Sequence, residues 1–451
     1  MESTELKSTL SLSSIFALRM LGLFMILPIF SLYADEFSGA TAALTGLAIG
    51  IYGLSQAIFQ LPFGFLSDRF GRKPLILFGL ALFAFGGIIA AQADSIIEVI
   101  IGRAMQGSGA IAAVVMALLA DLTKEENRTK AMAMIGMSIG LSFSIAILLG
   151  PFLSGIYGIR SIFLLTSFFA VLAMLVCVFW VPNPKQVQVH RDALPAMDQI
   201  RGLLKHAELM RLNVGIFILH LVVTASFVVL PLALRDYAAV EAKDHWLIYL
   251  PIMGASFVGM VPLMIVSEKK QRTKQVFLFS ISLLCLSLLL LAGFHDLRWG
   301  LFLGLLMFFF GFNLLEALMP SLVSKIAPAG NKGTAMGIYS SAQFFGAFVG
   351  GTSGGVVYGL WGMMEVYFML AGFSLLWFAV AWPMSAPKFL HGYMVNIVSE
   401  KGSEQETEQK LLAIEGVEEV LVIGTENAAY LKVDKLRFDE QSVREISLAR
   451  D

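Results

Sequence analysis

The sequence predicts an all-α membrane protein of twelve transmembrane helices in two pseudo-symmetric six-helix bundles, followed by a small α+β cytoplasmic domain. Three observations predict it. Hydrophobic residues make up 57% of the 451 residues and charged residues only 14%, against about 25% charged in ordinary soluble domains. Apolar runs of roughly 20 residues, enough to cross a hydrocarbon core of about 30 Å as a helix, recur along the chain. Lys and Arg gather in alternate loops, as they do in proteins whose loops alternate between the two sides of a membrane.

The expected spans lie near 12–33, 42–66, 74–93, 96–120, 131–154, 161–181, 211–235, 246–267, 275–294, 298–324, 334–358 and 363–383. Helices satisfy their own backbone groups where there is no water, and the short alternating segments of a membrane β-barrel are absent. The polar stretch Met1–Ser11 precedes the first run without a small-residue cleavage site, so that run is expected to remain as span one. Placing the N-terminus inside gives the cytoplasmic segments nineteen Lys and Arg and leaves outside only Arg160, Arg235, Lys243 and Arg298. Both termini are then cytoplasmic.

The longest internal connection, 182–210, is polar and basic, and divides residues 1–181 from 211–387. The two halves repeat one another. Asn127-Arg128-Thr129-Lys130-Ala131-Met132 before span five matches Asn331-Lys332-Gly333-Thr334-Ala335-Met336 before span eleven, at an offset of 204. Asp68 and Arg72 after span two match Glu268 and Arg272 after span eight, at an offset of 200. Duplicated halves that rock about a midplane site are a carrier architecture.

Between spans two and three runs Gly64-Phe65-Leu66-Ser67-Asp68-Arg69-Phe70-Gly71-Arg72-Lys73-Pro74. A small residue at 64 allows close helix approach. Asp68 suits the positive end of a helix, and Arg72 suits a carboxylate partner. The segment resembles the signature loop of the major facilitator superfamily. The resemblance implies a conformational switch in which Gly64, Asp68, Arg69, Gly71 and Arg72 engage the start of span eleven, near Lys332–Thr334, and Asp121 at the cytoplasmic end of span four, holding the outward-facing state. In span four, Ile101-Gly102-Arg103-Ala104-Met105-Gln106-Gly107-Ser108-Gly109-Ala110 resembles a second motif of that family, whose arginine faces the central cavity. In span five, Gly140, Gly150, Pro151 and Gly155 resemble the family's antiporter motif, with Ser154 where a further glycine is usual.

Ionised groups inside lipid are costly, about 2.5–3.5 kcal/mol for Arg, Lys or Asp on insertion scales, so they are expected to face water or a partner. Glu316 is the one carboxylate placed well inside a span. Removal from water disfavours the ionised carboxylate, so such a group suits binding and releasing a proton as access alternates. His220 in span seven titrates in the useful range, though a lone helical histidine is also an ordinary structural residue. Arg19 in span one is read as counter-charge to a carboxylate or substrate. Gln56, Gln60, Gln106, Asn313 and Gln343 are candidate cavity polar groups.

The tail, 388–451, changes composition. Strands are expected at Val395–Ser399, Val417–Ile423 and Ala429–Val433, with helices at Glu404–Ile414 and Glu440–Ala449, an order that resembles a ferredoxin-like domain. Gly416-Val417-Glu418-Glu419-Val420 resembles heavy-metal-associated domains, but no Cys-x-x-Cys follows the first strand. Cys177 and Cys285 sit in apolar runs as small hydrophobes. No metal or cofactor is expected beyond protons as the coupling ion.

With Arg19-Met20-Leu21-Gly22 and Gly50-Ile51-Tyr52-Gly53-Leu54, the whole chain resembles the tail-bearing, proton-driven drug-efflux carriers of that superfamily in Gram-negative inner membranes. That implies a proton-coupled exporter of small amphipathic compounds. Proton-coupled uptake, facilitated passage, or a transporter-like sensor signalling through the tail stay open. No nucleotide-binding loop or catalytic constellation points to an enzyme. The expected partners are a small-molecule substrate and the bilayer, not nucleic acid, and residues 390–451 offer an edge for a homodimer or regulatory contact.

Overall fold

The computed structural model describes residues 3–182, 197–328, 332–385, 390–396, 404–423, 428–434 and 438–439. Among them, ten helical segments are long and apolar enough to cross a membrane. One of these, within helix Glu125–Phe179, turns back on itself at Gly158, whose φ of 74° is open to glycine but strained for other residues. The reversal is anchored at both ends. Arg160 reaches Asp94 at 2.9 Å at one membrane face, and Lys73 Nζ donates to the Val181 carbonyl at 2.7 Å at the other. Spans five and six are therefore two helices of opposite direction that meet at Gly158, as their separate apolar stretches predict. Span eleven is the helix Lys332–Leu360, packed against spans two and seven.

Several boundaries differ from those predicted. Span one starts at Ser3, well before residue 12, because Ser8, Thr9 and Ser11 bond back to the carbonyls of Thr4, Glu5 and Lys7 and let a polar sequence continue the helix. Span four is two helices, Ile96–Ser108 and Ala112–Leu122. The break, Gly109-Ala110-Ile111, follows Gly107-Ser108, and glycine and serine have low helix propensity; Gly109 sits against the backbone of Gly79. The first helix starts at a full capping box between Ser95 and Glu98.

The contact between the halves is built from glycine. In span two, Ala42–Phe70, the sites where Gly46, Gly50 and Gly53 would carry a Cβ are filled by backbone of Gly351, Phe348 and Phe344 in span eleven. The opposite face of span eleven puts Gly346, Gly350 and Gly354 against Phe217, Leu221 and Ala225 of span seven, Ala207–Asp236. Gly155 of span five likewise receives Lys243, just ahead of span eight. All these approaches between the two halves lie away from the face that carries the basic loops. Toward the basic face, Gly136 and Gly140 share the Phe143 side of span five by helical spacing, and neither meets anything within 4 Å. Among the described residues, the close glycine approaches between the halves thus gather at the face opposite the basic loops, while open space lies beside Gly136 and Gly140.

In the tail, β1 (Leu390–Asn396), β2 (Val417–Ile423) and β3 (Ala428–Asp434) form an antiparallel sheet in the order β1-β3-β2, with helix Glu404–Leu412 packed on it. Leu411, Val422, Ala429, Leu431 and Val433 make its small core. β1 starts five residues earlier than predicted, because it pairs with β3 along its whole length. The helix predicted over 440–449 lies outside the described residues.

Candidate functional site

Two polar clusters lie inside the membrane-spanning body, one in each half. In the second half they come from spans seven, ten (Arg298–Ile326) and eleven. The Gln343 amide nitrogen lies 2.7 Å from His220 Nε2 and 3.5 Å from Glu316 Oε1, and His220 Nε2 is 4.0 Å from Glu316 Oε2. An amide NH₂ offers two hydrogens and no lone pair. With the amide so oriented, the imidazole presents a bare Nε2 and the carboxylate a bare oxygen. Glu316 Oε2, His220 Nδ1 and the Tyr339 hydroxyl are buried without a partner. Glu316 is 30% exposed, and among the described residues no Lys or Arg pairs with it. Phe312, one turn before Glu316, packs on the His220 ring at 6.4 Å and on Phe143 of the first half at 5.3 Å. Asn313 turns elsewhere: its Nδ2 donates to Ser256 of span eight at 2.7 Å.

The first half holds two guanidiniums around one phenol. Arg19 and Arg103 lie 5.9 Å and 5.1 Å from the Tyr52 ring, a cation–π arrangement strengthened by the absence of water. Arg19 Nη2 donates to Gln56 Oε1 at 2.6 Å and to the Gly109 carbonyl at 2.8 Å. That carbonyl faces it at the break in span four. Arg103 donates to the Ala48 carbonyl and to Gln106 Oε1, and Gln106 passes a hydrogen to Thr166. Gln56 and Gln60 are linked at 2.9 Å.

Both arginines differ from their sequence reading in placement. Arg103, expected at the cavity wall, is 1% exposed, and Arg19, expected opposite a carboxylate or a substrate, is fully buried among neutral groups. Carbonyl and amide oxygens with an aromatic face solvate these cations, so neither needs a carboxylate or open water. Arg19 Nε and Nη1 remain without partners. Tyr52, Thr166, Tyr339 and the Gly109 carbonyl were not singled out from sequence. Tyr52 had a visible signal, one helical turn from Gln56 on the same face.

The loop after span two behaves as a charged knot. Gly71, at φ 93°, ends the helix and turns the chain into Arg72. Arg72 is buried and forms an ion pair with Asp68, reaches Asp121 at 3.2 Å and donates to Ser67 Oγ at 2.6 Å. Asp68 makes no hydrogen bond to the described part of span eleven, and its Oδ2 has no partner. Residues 329–331 lie outside the described residues. Arg69 is exposed and stacks on Phe70 at 5.5 Å. Gly64 has only the Ala113 methyl nearby, at 3.9 Å, so in this state no close helix approach depends on it. Gly150 and Pro151 place span five against the Met25 carbonyl of span one, and Gly155 takes Lys243, while Gly140 faces open space.

The sequence matches the Major Facilitator Superfamily model over residues 12–236 and 212–392. It is 44% identical to the inner membrane transport protein YajR of Escherichia coli (strain K12) over 98% of both chains. The class H tetracycline resistance protein of Pasteurella multocida is 32% identical over a shorter stretch, 34% of this chain and 38% of that one. Among solved structures, a D-xylose-proton symporter superposes with a TM-score of 0.70 at 16% identity, covering 85% of this chain and 99% of that one, which is a likeness of fold.

Proposed function

The chain belongs to the major facilitator superfamily and is a multi-pass inner-membrane transporter rather than an enzyme, and on that footing we propose that it exports small amphipathic compounds in exchange for protons. In this reading it has twelve spans in two six-span bundles, the basic face is cytoplasmic, and both termini lie there. The open space beside Gly136 and Gly140 then makes this the inward-facing state, in which cargo enters from the cytoplasm. Asp68, free of the described part of span eleven, agrees with a switch that is open in that state.

The observation that carries the reading is the setting of Glu316. It is an acid with partial exposure, bordered by the His220 imidazole and the Gln343 amide and unpaired with any described Lys or Arg. Such a carboxylate changes charge at modest cost as water reaches it from one side and then the other. Kinship with tetracycline resistance proteins supports export over uptake. The tail sheet with its packed helix is read as a ferredoxin-like accessory domain that regulates the carrier or pairs two copies.

The test is proton flux in inside-out vesicles given a panel of fluorescent amphipathic dyes from outside. Dye uptake that drains an imposed acid-inside gradient supports exchange. Dye and protons moving together would instead make the chain a symporter.

A further inference from the structure

The acid of the second half and the arginines of the first are joined through two adjacent residues of span eleven. Gln343 touches Glu316 and His220. Phe344, the next residue, lays its carbonyl into the space beside Gly53 and its ring against Tyr52 at 6.3 Å. Tyr52 lies under both guanidiniums and bonds Gln56, which holds Arg19. One helix therefore touches Glu316 and His220 on one side and the seam between the halves on the other.

We propose that Gln343 is a positioning residue that converts the charge on Glu316 into movement of span eleven against span two. The inference rests on reading Glu316 as the proton site. With its NH₂ turned toward them, Gln343 faces two acceptors, His220 Nε2 at 2.7 Å and Glu316 Oε1 at 3.5 Å. When hydronium gives its proton to Glu316, an O–H bond forms, water leaves, and the carboxylate becomes a neutral acid and a poorer acceptor. The contact across 3.5 Å then loses the carboxylate's charge, and the hold of Gln343 on span ten slackens. Should the proton pass to His220 Nε2, the amide must turn its oxygen to the ring and withdraw its hydrogens from Glu316. In either case Gln343 moves, and Phe344 beside it presses on Gly53 and Tyr52. The titratable neighbours of the site are His220 from span seven and Tyr339 from span eleven. Among the described residues no charged group of the first half touches it. Contact between the acid and the arginines is accordingly indirect; Phe312 crosses the seam to Phe143, and Gln343–Phe344 is the crossing that reaches Tyr52 and the guanidiniums.

The experiment follows the gap between the halves and the proton separately. Gly136→Cys supplies a probe on the parted side of span five, while Cys177 and Cys285 are buried. Its reaction with a membrane-impermeant maleimide is measured in inside-out vesicles across pH, and the Glu316 carboxyl is followed by infrared difference spectroscopy of the purified full chain. In the parent, the labelling rate changes by about fivefold or more across the pH range, the scale of an ordinary coupling. Gln343→Met and Gln343→Leu keep the shape but cannot bond. Each is expected to keep the Glu316 protonation signal while flattening the pH profile of labelling. A parental profile in both variants overturns the inference. So does loss of the infrared signal, which would make Gln343 a determinant of proton binding alone, and so does failure of both to insert, which would make it a packing residue. If Glu316→Gln kept the parental profile, the proton-site reading itself would fall, a result distinct from these.

Discussion

Gly46 and Gly351 face each other across the two halves so closely that a methyl on either would meet the other's carbonyl oxygen. The closed face is therefore held by backbone against backbone, a contact that no larger side chain permits. Small residues serve the same purpose in membrane helix pairs generally, where lipid offers no hydrophobic drive for association.

Gly351→Leu and Gly46→Leu should hold that face apart. A cysteine at Ala347, beside Gly53, is expected to react with an impermeant maleimide added from the non-basic side. Reaction should be at least about tenfold faster in the variants than in the parent, the scale of a shifted two-state balance. Equal rates would show that closure does not depend on these glycines.

Glu316→Gln fixes the site in a neutral form. Dye export is expected to become independent of an imposed pH gradient while the protein reaches the membrane in parental amounts. Retained dependence on the gradient would remove Glu316 from the proton path.

Arg72 and Asp121 are buried to 2% and 1% exposure of their side chains. Removing one partner of such a pair strands a charge and costs about 3–5 kcal/mol, whereas replacing both with apolar groups is often nearly neutral. Arg72→Met strands two carboxylates, Asp68 and Asp121, and should therefore lower the unfolding temperature more than Asp121→Leu, which leaves Arg72 paired with Asp68. Adding Asp68→Asn and Asp121→Leu to Arg72→Met should recover stability. Unfolding in detergent gives the order, and a triple variant less stable than Arg72→Met alone would contradict it.

Gln56→Leu removes the side-chain acceptor held by Arg19. A buried donor left without a partner costs about 1–3 kcal/mol, more when charged. Gln60→Leu leaves Arg19 with both acceptors and should cost less. The comparison is read from the same unfolding series, and equal losses would show that the Arg19 bond contributes nothing special.

Deletion of residues 390–451 separates an accessory tail from a signalling one. Dye export is expected to persist after deletion, and its abolition would point to a sensor.

Much of this was legible in the chain itself. Lipid enforces a simple rule, apolar runs long enough to cross, so the spans could be read from the spacing of apolar runs, and the pairing of Arg72 with Asp121 from the motif and the family it resembles. Glu316 stood out because a carboxylate is conspicuous in an apolar run. The position of Arg103 did not follow from such reasoning. An arginine in a span must be solvated, but sequence does not say whether by water in a cavity or by the Ala48 carbonyl, Gln106 and the Tyr52 ring.

The sequence by itself determined that the chain crosses a membrane many times, that its halves are repeats, and which few polar groups must be kept from lipid. These are local properties of composition and period. Only the tertiary structure decided which groups meet: that Gln343 bridges His220 and Glu316, that a break in span four turns the Gly109 carbonyl toward Arg19, and that among the described residues the halves meet through glycine at the face opposite the basic loops. Those contacts join residues far apart in the chain, and their partners depend on how helices rotate and approach, which no single helix encodes.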